Sequence, residues 1–233
     1  MTKYFSALMI LCAAAGAWLA PNAASAVPKM DVKVAVGVGS TTLVPRVPSI
    51  DLFSPDGEPL GTVGGRNAST FPNWGLQLSA RVTAGKIFGE IGIGFSRFYF
   101  EIGEQLALIA EAEGNPLPES IIGQRARMNS LEIPLTAGYV PYKNPYFNWL
   151  VYGGYVNHFN TKIIVRREGE SSLRLKPKAD NHAIYQALAR FGTSVDLAMF
   201  NFDLNYSISM NSATTTSYRT SYHQLQLNLA YIF

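Results

Sequence analysis

Residues 224–233 read Gln-Leu-Gln-Leu-Asn-Leu-Ala-Tyr-Ile-Phe and alternate between two kinds of side chain. Bulky apolar or aromatic residues occupy the odd positions from Leu225 to Phe233, and polar or small residues occupy the even positions from Gln224 to Ala230. This period of two predicts a β-strand with one apolar face. A terminal strand that ends on an exposed aromatic residue is typical of a lipid-facing cylinder. We therefore expect a barrel whose apolar face points outward.

The first 26 residues have the pattern of a secretory signal peptide. Lys3 supplies a positive charge, residues 5–20 are almost entirely apolar, and Ala24-Ser25-Ala26 provides a small-residue cleavage site. We expect a signal peptide at 1–26 and one barrel domain at 27–233. Because the single cysteine, Cys12, lies in the signal, the mature chain is expected to form neither disulfides nor thiolate metal sites.

The charge balance excludes one class of partner. The chain has 19 Lys and Arg against 16 Asp and Glu, and removal of Lys3 leaves 18 against 16. This near balance does not favour nucleic-acid binding. No apolar run after the signal approaches the roughly 20 residues of a membrane helix, so we expect any membrane crossing to use strands.

Seven further segments alternate in the same way as the terminal one. They are 31–40, 73–84, 87–100, 128–140, 146–159, 183–197 and 200–210. The phase of 146–159 is ambiguous, and we expect its odd residues, such as Trp149, to point outward. Together with 224–233 these segments predict an all-β fold, a closed eight-stranded antiparallel up-and-down transmembrane barrel.

The connections between these segments alternate in length. Long connections span 41–72, 101–127, 160–181 and 212–220, and tight ones span 85–86, 141–145 and 198–199. The two-residue turn Gly85-Lys86 predicts the pairs Ala84 with Ile87 and Arg81 with Glu90. Long loops at one end and short turns at the other favour an outer-membrane barrel with periplasmic turns and termini.

The second face of the predicted strands carries charged residues. They are Lys33, Arg81, Glu90, Glu132, Arg190, Asp196 and Asp203. Because an eight-stranded cylinder is only wide enough for side chains, we expect a salt-bridged lumen network rather than a conduit or a catalytic cluster. A soluble lipocalin-like barrel is the alternative, and it would hold the apolar face inside.

The terminal strand resembles the signal by which the barrel-assembly machinery recognises its clients, with Gln226, Tyr231 and Phe233 in place and Asn228 where Gly is usual. The whole mature chain resembles the small barrels of the outer membrane protein X and outer membrane protein A class. Leu131-Glu132-Ile133-Pro134-Leu135 and Tyr152-Gly153-Gly154-Tyr155 also resemble the PorT-like barrels of Bacteroidota. These resemblances imply an outer-membrane location, assembly by that machinery, and a link to protein export.

The long connections carry the candidate binding residues. A basic patch lies in 160–181 and consists of Arg166, Arg167, Arg174, Lys176 and Lys178. It is suited to lipopolysaccharide phosphates or an acidic partner, although a solvated hairpin would have the same composition. Helix-like spacing in 104–113 predicts a short helix over the rim.

Three histidines, His158, His182 and His223, lie toward the loop end, but their spacing does not indicate a metal site. No cofactor is expected. Residues 158–161 also lack the His-x-Ser motif of lipid A deacylases. We therefore expect a non-enzymatic monomer with a structural, accessory or surface-binding role, using its extracellular loops on an unidentified protein partner or on outer-membrane lipid. A lipid-modifying enzyme and a small-solute channel are the alternatives.

Overall fold

The computed structural model describes residues 27–45, 47–65, 69–101, 104–114, 116, 124–166, 172–176, 182–215 and 219–233. The predicted signal peptide lies outside these residues and stays a prediction. In the described chain the elements are β1 (Lys29–Pro45), β2 (Val47–Phe53), β3 (Pro59–Gly65), β4 (Ser69–Ala84), β5 (Ile87–Glu101), α1 (Glu104–Ala112), β6 (Arg125–Lys143), β7 (Phe147–Val165), β8 (Leu173–Leu175), β9 (Tyr185–Leu197), β10 (Phe200–Ser209) and β11 (Thr220–Ile232).

Eight of these strands close into a barrel in the order β1-β4-β5-β6-β7-β9-β10-β11, and β11 pairs again with β1. All neighbouring pairs are antiparallel. The predicted fold class is therefore confirmed. Outside this ring, β2 pairs with β3, and β8 extends the sheet beside β7. Among the described residues, no helix is both long enough and apolar enough to cross a membrane.

The predicted register at the first tight turn is confirmed, with Ala84 opposite Ile87 and Arg81 opposite Glu90. The turn is formed by Gly85, which has a φ of 62°, a value that a glycine adopts without steric cost. At the turn between β9 and β10, Ala198 has a φ of 53°. An alanine there is strained, and the turn is retained because the flanking residues Leu197 and Phe200 pair directly.

The expected phase of β7 is also confirmed. Leu150 is 2% exposed and faces the lumen, whereas Trp149 is 44% exposed and faces outward. Near its end the strand has a bulge, because Asn129 pairs with Lys162 while Ser130 pairs with Asn160. The extra residue turns Ile163 inward and Lys162 outward.

Several predicted strands end too early at the loop end. β1 extends five residues beyond the predicted 31–40, to Pro45, and β7 extends six residues beyond 146–159, to Val165. The predicted loop 41–72 also contains the hairpin of β2 and β3. In this upper part of the barrel the alternation is reversed, with apolar side chains inside and polar ones outside, so the pattern that marked the lower strands does not continue.

An apolar plug fills the loop end of the lumen. Its buried members are Phe98, Phe100, Ala107, Ala110, Ala126, Met128, Val156, Ile163, Val165, Leu188, Ala213 and Tyr222. Two of them, Ala107 and Ala110, belong to α1, so the predicted helix covers the barrel mouth. On its other side Ile109 packs with Leu52 of β2. We call α1 together with the β2–β3 hairpin the cap. Buried apolar contacts join the cap to the barrel wall, and the burial of each large side chain stabilises the fold by about 1.5–3 kcal/mol.

Gly37 gives a test of the wall packing. A Cβ on Gly37 would lie 1.9 Å from Oδ1 of Asn228 and 2.7 Å from Nε2 of Gln226. We expect Gly37→Ala to lower the free energy of unfolding by about 1–3 kcal/mol, measured as the urea midpoint of the gel-mobility transition in micelles.

Gly89→Ala is the matched control, because no atom lies within 4 Å of the added Cβ, and we expect it to be nearly neutral. Adding Asn228→Gly to Gly37→Ala should give less destabilisation than the sum of the two single changes. Equal effects of Gly37→Ala and Gly89→Ala would contradict this account of the packing.

Candidate functional site

The turn end of the lumen is closed by an ion network around Arg81. Its guanidinium donates to both carboxylate oxygens of Asp196, at 3.1 and 2.7 Å, and one of its nitrogens lies 3.3 Å from Asp31 Oδ2. Asn201 Nδ2 donates to Asp196 at 2.7 Å, and Lys29 pairs with Asp31 at 2.9 Å. The two-pronged contact with Asp196 crosses the lumen from β4 to β9 and ties opposite walls together.

Glu90 does not form its ion pair with Arg81, although the two residues lie directly opposite in the sheet. It binds Lys33 of β1 instead, with the Lys33 nitrogen 2.6 Å from the carboxylate. In so narrow a cylinder long side chains can reach strands other than their neighbours. Cross-strand register, which the sequence predicts, therefore does not determine the ion pairs.

Asp203 accepts hydrogen bonds from three neighbours. The Tyr152 hydroxyl donates to Oδ1 at 2.6 Å, and the side-chain amides of Asn205 and Asn228 donate to Oδ2 at 2.8 Å each. Asn228 reaches this position because Gly37 stands opposite it on β1. The residue that departs from the usual assembly signal thus has a structural role in the lumen.

Glu132 and Arg190 form the third charged group. An Arg190 nitrogen lies 3.0 Å from Glu132 Oε2, and Arg190 Nε donates to Ser207 Oγ at 2.9 Å. The His158 ring nitrogen Nδ1 lies 3.3 Å from Glu132 Oε1. All seven predicted lumen residues therefore face inward, and each has a polar partner. Sequence reasoning missed Asp31, Tyr152 and His158 as members, although each has the inward parity of its strand.

His158, Glu132 and Ser130 bring an imidazole, a carboxylate and a hydroxyl together, the groups that acyl transfer uses. Their hydrogen bonds do not fit that chemistry. Ser130 Oγ donates to Asn160 Oδ1 at 2.8 Å, and His158 Nε2 lies 3.0 Å from the same oxygen. The hydroxyl is therefore bonded to the amide and not to the base. Since His158 and Ser130 are fully buried beneath the apolar plug, a lipid cannot reach them.

The interior leaves little free space. Two cavities along the middle of the lumen have volumes of about 30 and 10 Å³, enough for one or two water molecules. A larger cavity of about 230 Å³ lies at the turn end, lined by Lys29, Lys143 and Asn148 among others. The described side chains thus fill the cylinder between the turn-end mouth and the cap.

The other two histidines lie apart from the lumen network. His182 packs on the Phe100 ring with the ring centroids 4.9 Å apart, and His223 faces outward, where its Nδ1 is hydrogen-bonded to the Tyr206 hydroxyl. Among the described residues, no group of three His, Cys, Asp or Glu side chains has the arrangement of a metal site.

The predicted basic patch is described in part. Arg166, Arg174 and Lys176 are exposed at the loop end, while Arg167 and Lys178 lie outside the described residues. The three residues of the predicted assembly signal are divided between the two faces of β11. Gln226 is buried in the lumen, and Tyr231 and Phe233 face outward with their rings in edge contact at 4.8 Å.

No protein-family model matches the chain, and no curated protein matches it. Among solved structures, Neisserial surface protein A is similar with 10% identity and a TM-score of 0.43 over 89% of this chain and 99% of that one. Ail, the attachment invasion locus protein of Yersinia pestis, has 11% identity and a TM-score of 0.39 over 86% and 98%.

The outer membrane protease OmpT from Escherichia coli has 9% identity and a TM-score of 0.34 over 88% of this chain and 96% of that one. At such identities the likenesses concern the fold. Function has to be inferred from this chain's own residues.

The pair of Lys33 and Glu90 tests the lumen network. We expect Lys33→Met to lower the free energy of unfolding by about 3–5 kcal/mol, because Glu90 is left buried without its cation. Lys33→Met combined with Glu90→Gln should recover most of that loss. The measurement is again the urea midpoint in micelles. Lys86→Met, an exposed change at the turn, serves as the control, and similar losses in the single and double lumen variants would contradict the pairing.

Proposed function

We propose that this chain is a non-enzymatic outer-membrane barrel that displays a rigid cap at the cell surface for binding. The observation that carries the proposal is the sidedness of the wall. Charged groups are buried and paired inside the cylinder, and large apolar side chains stand unprotected on its outside. A lipocalin-like soluble barrel would have the reverse arrangement.

One row of cross-strand partners illustrates this outer wall. Phe95, Leu76, Val36, Leu229 and Phe202 follow one another across β5, β4, β1, β11 and β10. Four of them are 44–52% exposed. An apolar band that runs around a closed sheet is far larger than the patches soluble monomers expose, and a lipid bilayer is the environment that stabilises it.

Aromatic residues border this band on both sides. The exposed aromatic residues toward the turn end are Tyr139, Tyr142, Tyr146, Trp149, Phe200, Phe202, Tyr231 and Phe233, and those toward the loop end are Tyr99, Tyr185 and Tyr206. Aromatic girdles at both interfaces are typical of outer-membrane barrels. They support a bilayer around the band, and the short turns at one end with the long connections at the other support an orientation with the turns in the periplasm and the cap outside.

The cap supports a binding role rather than a catalytic or transport role. α1 packs against the hairpin of β2 and β3 through Ile109 and Leu52, so the loop end presents an ordered surface above a closed lumen. Ordered elements of this kind offer a preformed contact area, which lowers the entropic cost of binding a partner. Phe53 of β2 is 54% exposed on this surface.

A role in protein export rests only on the two PorT-like segments. In the structure, residues of both segments make contacts that stabilise the barrel. Glu132 binds Arg190, Tyr152 binds Asp203, and a Cβ on Gly154 would lie 2.3 Å from the Leu135 carbonyl oxygen. These contacts explain both segments by packing in the lumen and in the barrel wall, and neither segment requires a role in protein export.

The orientation can be tested with single cysteines, since the mature chain is expected to have none. We expect Arg174→Cys at the loop end to react with a membrane-impermeant maleimide in intact cells. Lys86→Cys at the turn end should react only after the outer membrane is permeabilised. Both side chains are exposed in the structure. Labelling of Lys86→Cys in intact cells, or recovery of the protein in the soluble fraction, would refute the proposal.

Conductance separates this proposal from the channel alternative. Because the two cavities along the middle of the lumen hold only a few water molecules, we expect purified protein in planar bilayers to show no stable conductance steps. A porin inserted under the same conditions gives the positive control, and detergent alone gives the blank. Reproducible steps that track protein concentration would favour the channel.

A further inference from the structure

Basic side chains gather on the outer wall of the barrel at the loop end of β5 to β8. We call Arg97, Arg127, Lys162, Arg166 and Arg174 the basic wall. Arg97 and Lys162 lie on either side of Asn129 in one cross-strand row, and Arg127 and Arg174 lie on either side of Ile164 in the next row. The β7 bulge contributes to this arrangement, because without the extra residue Lys162 would point into the lumen.

The distances between the cations of the basic wall suit a ligand with more than one anionic group. Neighbouring strands are about 4.8 Å apart, so the two cations of each row have Cα atoms about 10 Å apart. Successive rows on one face are about 7 Å apart. Arginine and lysine side chains are long enough for their charged ends to meet over Asn129 and Ile164.

Among the residues whose side chains the structure describes, these cations differ from those in the lumen in their ion pairs. No such Asp or Glu lies within ion-pair distance of any member of the basic wall, whereas Lys33, Arg81 and Arg190 all have a carboxylate partner. Uncompensated cations on adjacent strands repel one another. A bound polyanion would relieve that repulsion.

Arg97 lies at the lower edge of the basic wall, and its side chain is fixed by contacts with neighbouring residues. Its guanidinium lies 5.3 Å from the Trp74 ring centroid and 5.7 Å from that of Phe95, and its Nε donates to Asn129 Oδ1 at 2.7 Å. Among the described residues, its two terminal nitrogens hydrogen-bond to no acceptor. The stacking fixes the guanidinium plane while those nitrogens stay available for an oxyanion.

The row directly below the basic wall is apolar. Phe95, Leu131, Phe159 and Tyr185 are consecutive partners across β5, β6, β7 and β9. The cations therefore begin where the apolar band ends. A ligand that covers both rows must be amphipathic, with acyl chains below and phosphates above.

Among the described residues, the basic wall has no counterpart on the other side of the barrel. On the opposite side, the outer positions at this end hold Thr42 hydrogen-bonded to Thr70 and Tyr206 hydrogen-bonded to His223. Arg219, a described cation near that side, donates to the Met210 carbonyl oxygen at 2.9 Å. This one-sided distribution is typical of a binding site and not of a general solubilising ring.

We propose that the basic wall binds the phosphate groups of a phosphorylated glycolipid of the outer leaflet, the lipid A portion of lipopolysaccharide. The acyl chains lie on the apolar row, and Arg97, Arg127, Lys162 and Arg174 bind the phosphates with charge-assisted hydrogen bonds. This inference rests on the proposed function, since it places the loop end at the outer leaflet. It also moves the anion site from the loop, where the sequence predicted it, to the barrel wall.

The test measures binding of bisphosphorylated lipid A to the purified full chain in micelles. We expect the triple variant Arg127→Gln, Lys162→Gln and Arg174→Gln to bind at least about tenfold more weakly, from the loss of three near-surface charges. The control triple Lys29→Gln, Lys86→Gln and Lys143→Gln removes the same charge from exposed positions at the turn end and should change binding less than twofold. Equal losses in both triples, or no loss in the first, would overturn the proposal.

Two probe arms identify the ligand chemistry. Phosphatase-treated lipid A should bind wild type and the first triple equally weakly. Inorganic pyrophosphate should compete only at high concentration, and if it binds as tightly as lipid A, the glycolipid assignment is wrong. Lipid A recovered after incubation should have an unchanged mass, which also checks the enzyme alternative.

Folding and location are controlled separately. Each variant is checked by its heat-dependent gel mobility, and Arg127→Lys with Arg174→Lys, which keeps the charge, should bind within about threefold of wild type. If the glutamine triple does not fold, the salt dependence of wild-type binding still decides, since a charge-based site must weaken as salt rises. Correct cysteine labelling with unchanged lipid A binding would overturn this inference and leave the proposed function standing.

Discussion

The narrowness of a closed eight-stranded cylinder is the constraint on which the structure depends. Side chains on the inner face must meet across the axis, so every charge placed there needs a partner within reach. Arg81 reaches Asp196 on the far wall, and Lys33 reaches Glu90 two strands away around the ring. Such pairs are costly to bury and costly to break, which makes the lumen a rigid core in spite of its polarity.

The outer wall follows from the same closure. Along the apolar band, the charged groups and many amides turn inward, so the bulky apolar residues at alternate positions have only the outside to occupy. This placement of polar and apolar side chains is the reverse of that in a soluble protein, and it is stable only where lipid replaces water around the barrel. Above the band the arrangement reverses, because Phe98, Met128 and Ile163 form an apolar plug inside while Arg127 and Lys162 face out. The level at which the two patterns meet marks the proposed membrane surface.

Function, in this view, is concentrated at the loop end. The described side chains fill the middle of the lumen, and the grouping of Ser130, His158 and Glu132 there is held by structural hydrogen bonds. The cap and the basic wall are the described regions with exposed groups that are not committed to holding the fold together. A binding protein anchored in the outer membrane accounts for both regions, since the cap would face partners in solution and the wall would face the headgroups of the leaflet around it.

Alternation of side chains along the chain by itself determined the eight strands and the inward position of all seven lumen charges, because a period of two needs no knowledge of neighbours. The two-residue turn Gly85-Lys86 determined the register of β4 against β5. Only the tertiary structure decided which charge pairs with which, since the lumen brings together residues more than a hundred positions apart in the chain. It also decided the apolar plug and the outward turn of Lys162, because a single bulge at Thr161 changes the phase of β7 without leaving a mark in the local pattern.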